Sequence, residues 1–68
     1  MPSSVIRKFS YIAEKNALEI TFVSGKRYRY LGVPEALYQQ MGEAFSKGEF
    51  FNEHIRDYFA FERIGSLN

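Results

Sequence analysis

A chain of 68 residues with no cysteine, one histidine and a net charge of +1 at pH 7 has the size of one small domain and no means of making a disulfide. Thiol redox chemistry is excluded, a zinc site would need an unusual carboxylate-rich shell, and the excess charge is too small to imply a polyanionic partner by itself. No apolar run approaches the roughly 20 residues that cross a bilayer, and Met1-Pro2-Ser3-Ser4 lacks the charged and apolar regions of a secretion signal, so one cytoplasmic domain over residues 1–68 is expected, with no cofactor and no membrane.

Val5 to Ile12 places apolar residues at Val5, Ile6, Phe9, Tyr11 and Ile12, a mixed period that predicts a strand with a bulge near Arg7-Lys8. Glu14-Lys15-Asn16 is polar and turn-prone. Ala17 to Val23 then alternates, with Leu18, Ile20 and Phe22 on one face and Glu19 and Thr21 on the other. Ser24-Gly25 ends this strand and Lys26 to Leu31 returns as a second.

The turn has two readings. A two-residue Ser24-Gly25 loop pairs Val23 with Lys26 and puts Tyr28 and Tyr30 opposite the apolar face; a three-residue Val23-Ser24-Gly25 loop pairs Phe22 with Lys26 and puts both tyrosines on it. The three-residue loop is preferred, because both central residues of a type I′ turn need positive φ, which serine tolerates poorly. Arg27, Arg29 and Thr21 then lie on the outer face.

Gly32-Val33-Pro34 ends the strand, and proline suits the first turn of a helix, in which Leu37, Met41, Ala44 and Phe45 recur at helical spacing and Gly42 is a weak point. Ser46-Lys47-Gly48-Glu49 is a capping box that opens a second helix, running to about Asp57. Phe51, Ile55 and Tyr58 form its expected buried stripe, flanked by Phe50 and His54, while Glu49, Glu53, Asn52 and Arg56 face water. Phe59, Phe61 and Ile64 predict a short extended segment, and Gly65-Ser66-Leu67-Asn68 a frayed tail. The expected architecture is α+β: a small antiparallel sheet of about three strands from the N-terminal half, packed against two C-terminal helices.

Charge is unevenly divided. Up to Leu31, Arg7, Lys8, Lys15, Lys26, Arg27 and Arg29 outweigh Glu14 and Glu19, a net +4; from Gly32 on, three cations face six carboxylates, a net −3. This polarity fits neutralisation across the fold, an anion-facing sheet, or head-to-tail association.

Two stretches, Tyr28-Arg29-Tyr30-Leu31-Gly32-Val33-Pro34 and Ser46-Lys47-Gly48-Glu49-Phe50-Phe51-Asn52-Glu53-His54-Ile55-Arg56, taken with the hairpin before them, resemble the KTSC domain family over about Ser4 to Ile64. That family takes its name from the C-terminus of some lysyl-tRNA synthetases and also occurs as small, mostly prokaryotic, stand-alone proteins. The resemblance implies RNA binding but not aminoacylation, since no synthetase catalytic domain is present. Ala60 stands where similar sequences often carry proline.

The leading expectation is therefore a non-catalytic module that binds tRNA-like or single-stranded RNA through a basic outer sheet face made of Arg7, Lys8, Lys26, Arg27 and Arg29. Tyr28 and Tyr30 read first as core, and alternatively as a base-stacking platform. Ser46, Lys47 and Gly48 offer free N–H groups to an anion, though Glu49 already completes an ordinary cap. A different class is a protein-interaction module or small homo-oligomer, given more aromatics than so small a core hides. His54, with Asn52 and Arg56, is the one catalytic candidate; with no placed Ser or Cys nucleophile, phosphate loop or metal-spacing motif, no enzyme is expected.

Overall fold

In the computed structural model, which describes residues 6–66, four strands form one antiparallel sheet in the order β1-β2-β3-β4: β1 Ile6–Ile12, β2 Ala17–Phe22, β3 Lys26–Leu31 and β4 Phe61–Ser66. Two helices, α1 Glu35–Glu43 and α2 Lys47–His54, connect β3 to β4. The architecture is α+β with one more strand than expected. The closing segment is long enough to pair with β3 along its length, so Gly65 and Ser66, assigned from sequence to a frayed tail, instead oppose Arg27 and Lys26. Val5, expected at the start of β1, and Leu67-Asn68 lie outside the described residues. No helix among the described residues is long and apolar enough to cross a membrane.

β1 carries its bulge between Ile6 and Lys8, and a single 3-10 turn, Ala13–Lys15, leads to Asn16 in the left-handed region. The β2–β3 hairpin takes the three-residue loop: Ile20 opposes Tyr28, Leu18 opposes Tyr30, and the Gly25 N–H donates to the Phe22 carbonyl at 2.8 Å. Gly25 sits at φ 94°, a region costly for any residue with a Cβ. Gly25→Ala is accordingly expected to lower stability by about 1–2 kcal/mol, read from the urea midpoint. An unchanged midpoint would show that the register does not depend on this backbone conformation.

That register builds the core. Leu18 and Ile20 of β2 and Tyr30 of β3 meet Val33, Met41, Phe51 and Ile55. α1 sits over β1 through Tyr38, whose ring centroid lies 5.6 Å from Phe9 and 5.3 Å from Tyr11. The Tyr11 hydroxyl donates to the Val33 carbonyl at 2.6 Å, and the Val33 N–H donates to the Asn16 carbonyl at 2.8 Å, which pins the segment entering α1. α2 sits over β2 and β3 through Phe51, 5.6 Å from Phe22 and 5.2 Å from Tyr30.

Two aromatics leave the positions their spacing predicts. α1 stops at Glu43, where Ala44 turns to an extended conformation with its N–H on the Met41 carbonyl, so Phe45 falls in the connection and is 89% exposed. α2 stops at His54, short of Asp57, because the Phe51 carbonyl accepts from both Ile55 and Arg56. That widening rotates Tyr58 out of the buried stripe, and it is 69% exposed.

Candidate functional site

Cross-strand pairing arranges the outer sheet face in rows. Lys8, Thr21 and Arg27 are opposite one another across β1, β2 and β3, with Arg7 beside them in the bulge. Ser10, Glu19, Arg29 and Glu62 form the next row, and Ile12, Ala17 and Leu31 the third. The first row is cationic, the second mixed, the third apolar.

Arg29 is fully engaged in the second row. Its Nε and Nη2 donate to Glu19 Oε2 at 3.1 and 3.0 Å, and its Nη1 donates to Glu62 Oε2 at 3.0 Å. Bonds to Glu19 first and Glu62 second hold its guanidinium pKa above the ordinary arginine value. Arg27 is less committed, its Nη2 lying 3.9 Å from Glu19 Oε1. Lys8 and Arg7 are exposed.

The seven residues expected to contact nucleic acid therefore divide between two faces. Arg7, Lys8 and Arg27 gather around the hairpin end of the outer face, with Arg29 locked behind them. Lys26 is displaced from the outer stripe: side chains alternate along β3, so with Arg27 and Arg29 outside it shares the face of Tyr28 and Tyr30. Tyr30 is 4% exposed and Tyr28 half-buried.

On that inner face, beyond the cover of α2, a cleft of about 550 Å³ opens with walls of Phe22, Tyr28, Tyr30, Phe51 and Phe61. The rings meet edge-on: Tyr28 to Phe22 at 69° and to Phe61 at 68°. Asn52 of α2 and, from the widened turn beyond it, Arg56 and Asp57 complete the lining. Burial, with Tyr28 beside it, pushes the Tyr30 phenol pKa up from its ordinary value, against the opposing pull of Arg56; the phenol is a neutral donor at physiological pH. Sequence reasoning missed Phe61 and Asp57 here. The available signal was Asn52 and Arg56, four apart next to Phe51 on a helix expected to run to Asp57, although Arg56 lies beyond the end of α2.

The helix terminus at Ser46, Lys47 and Gly48 is occupied by its own chain. Ser46 Oγ accepts from the Glu49 N–H at 3.2 Å, and the Lys47 ammonium donates to the Ala44 carbonyl at 2.8 Å, tying α2 to the end of α1. Ser46 and Gly48 are buried. The arrangement is a structural cap, and Ser46→Ala is expected to cost about 1 kcal/mol in urea unfolding; a loss below about 0.3 kcal/mol would show that the cap is dispensable.

His54 is exposed, its ring 4.5 Å from Phe50 and its Nε2 3.9 Å from Glu53 Oε1. Leu37, Glu53, Tyr58 and Phe59 border the same shallow depression. Among the described residues no group of three or more His, Asp or Glu is placed to hold a metal ion.

Comparison with known proteins places these features in context. A family model for the KTSC domain matches residues 2–59. A lysine–tRNA ligase from Nostoc punctiforme is 41% identical over 61 residues, which are 90% of this chain but 11% of the ligase; the chain thus spans about a tenth of that relative's length. An uncharacterized protein from Stutzerimonas stutzeri is 42% identical over 53 residues, 78% of this chain and 75% of its own. Among solved structures, the crystal structure of a KTSC domain protein from Yersinia pestis matches with a TM-score of 0.86 at 39% identity, covering 96% of this chain and 94% of that one.

Proposed function

The chain belongs to the KTSC domain family, and from that premise we propose that it is a non-catalytic module that binds RNA. The observation that carries this reading is the row of Lys8 and Arg27 with Arg7 beside it, three cations at one end of the outer sheet face, none of them held by a hydrogen-bonded carboxylate among the described residues as Arg29 is. Related sequence within a lysine–tRNA ligase agrees with RNA as the polyanion. Phosphate contacts of this kind give affinity without base specificity.

Titration of tRNA and of single-stranded RNA, followed by fluorescence anisotropy across a salt series, tests the proposal. Three phosphate contacts predict a log–log salt slope of about −2 for single strands. The double charge reversal Lys8→Glu, Arg27→Glu is expected to abolish binding at low salt. Affinity unmoved by that pair of substitutions, or no binding by the parent chain, would overturn the reading.

A second reading, self-association or a protein partner, draws on the exposed rings of Phe45 and Tyr58. Sedimentation over a concentration range distinguishes it: a monomer at high concentration removes self-association.

A further inference from the structure

We propose that the aromatic cleft between β3, β4 and the end of α2 receives one unpaired base of the bound RNA. The inference rests on the RNA reading above and adds to it a site on the opposite face of the sheet.

The cleft is more than a gap left by packing. Phe51 and Tyr30 are core residues and form its floor, but Phe61 is 55% exposed and Tyr28 half-buried, so rings that would stabilise a small domain by full burial stand open to solvent. An unpaired base needs an aromatic surface to stack on and polar groups for its edge. Phe61 and Tyr28 supply the first. Asn52 offers both a donor and an acceptor, Arg56 donors and Asp57 acceptors, a mixture that suits the edge of a base better than it suits an apolar side chain. The volume of about 550 Å³ lies in the range of small-molecule sites.

Charge connects the cleft to the outer row. Alternation along β3 puts Lys26 on the same side as Tyr28, whereas Arg27, the next residue, faces the cationic row. A single strand held at Arg7, Lys8 and Arg27 passes over the hairpin end to reach Lys26 and then the cleft. Duplex RNA presents no free base for that position, so the inference also predicts a preference for single strands.

Hexameric single-stranded RNAs and an abasic hexamer with the same number of phosphates test the site by anisotropy and by two-dimensional NMR. The abasic strand is expected to bind about tenfold more weakly, and base-bearing strands to shift the amide signals of Tyr28, Asn52 and Phe61. Phe61→Ala, at an exposed strand position, is expected to bring base-bearing strands to the abasic level while leaving the salt slope unchanged. Asn52→Ala, on the exposed side of α2, is expected to reduce differences among the four homohexamers without altering stability. Equal binding of abasic and base-bearing strands, with Lys8→Glu, Arg27→Glu still abolishing both, overturns the base pocket and leaves the RNA reading standing. No binding of any strand overturns both. Cleft signals that move with protein concentration alone overturn it in favour of self-association.

Discussion

Phe51→Ala is expected to leave the chain without a cooperative folding transition at 25 °C. Phe51 is 2% exposed, lies edge-on to Phe22 and Tyr30 at 70° and 82°, and is the residue through which α2 meets the sheet. Truncating a buried phenylalanine costs about 3–5 kcal/mol. A core of this size rarely supplies more than about 3–5 kcal/mol in total, and no disulfide adds to it, so the loss equals the whole margin. Phe51→Leu keeps most of the volume and is expected to remain folded with a loss of about 1–2 kcal/mol. Tyr58→Ala provides the contrast: spacing assigns Tyr58 to the same stripe, but its exposure predicts a change within about 0.5 kcal/mol. Circular dichroism with urea unfolding measures all three. A cooperative transition in Phe51→Ala with a loss below about 1 kcal/mol would mean that α2 is not anchored by this ring.

The difference between Phe51 and Tyr58 marks where sequence periodicity loses its power. Alternation in β2, the bulge in β1 and the loop at Gly25 are consequences of a few residues and their immediate neighbours, and each is legible locally. Gly25 was the most informative single position, because its left-handed backbone fixes which face every residue of β3 occupies. The end of α2 is different. Its carbonyl at Phe51 takes two donors, a choice no local propensity encodes, and the shift of register there exposes Tyr58 while carrying Arg56 and Asp57 to the cleft. β4 is hard to read locally for a similar reason: Phe61–Ser66 is a weak strand by composition, with Gly65 inside it, and becomes one by pairing with β3.

The candidate site was legible in its ingredients and not in its grouping. The three-residue loop places Arg27 and Arg29 on the outer face, yet their availability depends on Glu19 of β2 and, for Arg29, on Glu62 of β4, which is 33 residues further along the chain. Charge counted along the chain gives the N-terminal half a net +4, and cross-strand geometry removes Arg29 from the free set. Parity alone would have placed Lys26 with the tyrosines. The cleft needed Phe61, which joins Tyr28 and Tyr30 only through the β3–β4 pairing, a contact between distant parts of the chain.

Glu19→Gln is expected to tighten RNA binding. Glu19 is the carboxylate nearest the cationic row: its Oε2 accepts two bonds from Arg29 and its Oε1 lies 3.9 Å from Arg27. Glutamine retains a carbonyl oxygen that can accept from Arg29, so the sheet geometry survives while the negative charge between the two arginines is lost. One arginine released to a phosphate adds about 0.7 to the magnitude of the single-strand salt slope, which at about 50 mM salt corresponds to roughly eightfold higher affinity. Glu62→Gln, acting on the far side of Arg29 at a more exposed position, is expected to have a smaller effect of the same sign because Glu19 still holds the guanidinium. In the double variant with Phe61→Ala the gain and the loss should sum independently and largely offset one another, since the two residues act on opposite faces. If Glu19→Gln changes neither affinity nor slope while the protein still binds RNA, the phosphates do not run over this face. The cations that matter would then be those beside the cleft, Lys26 and Arg56.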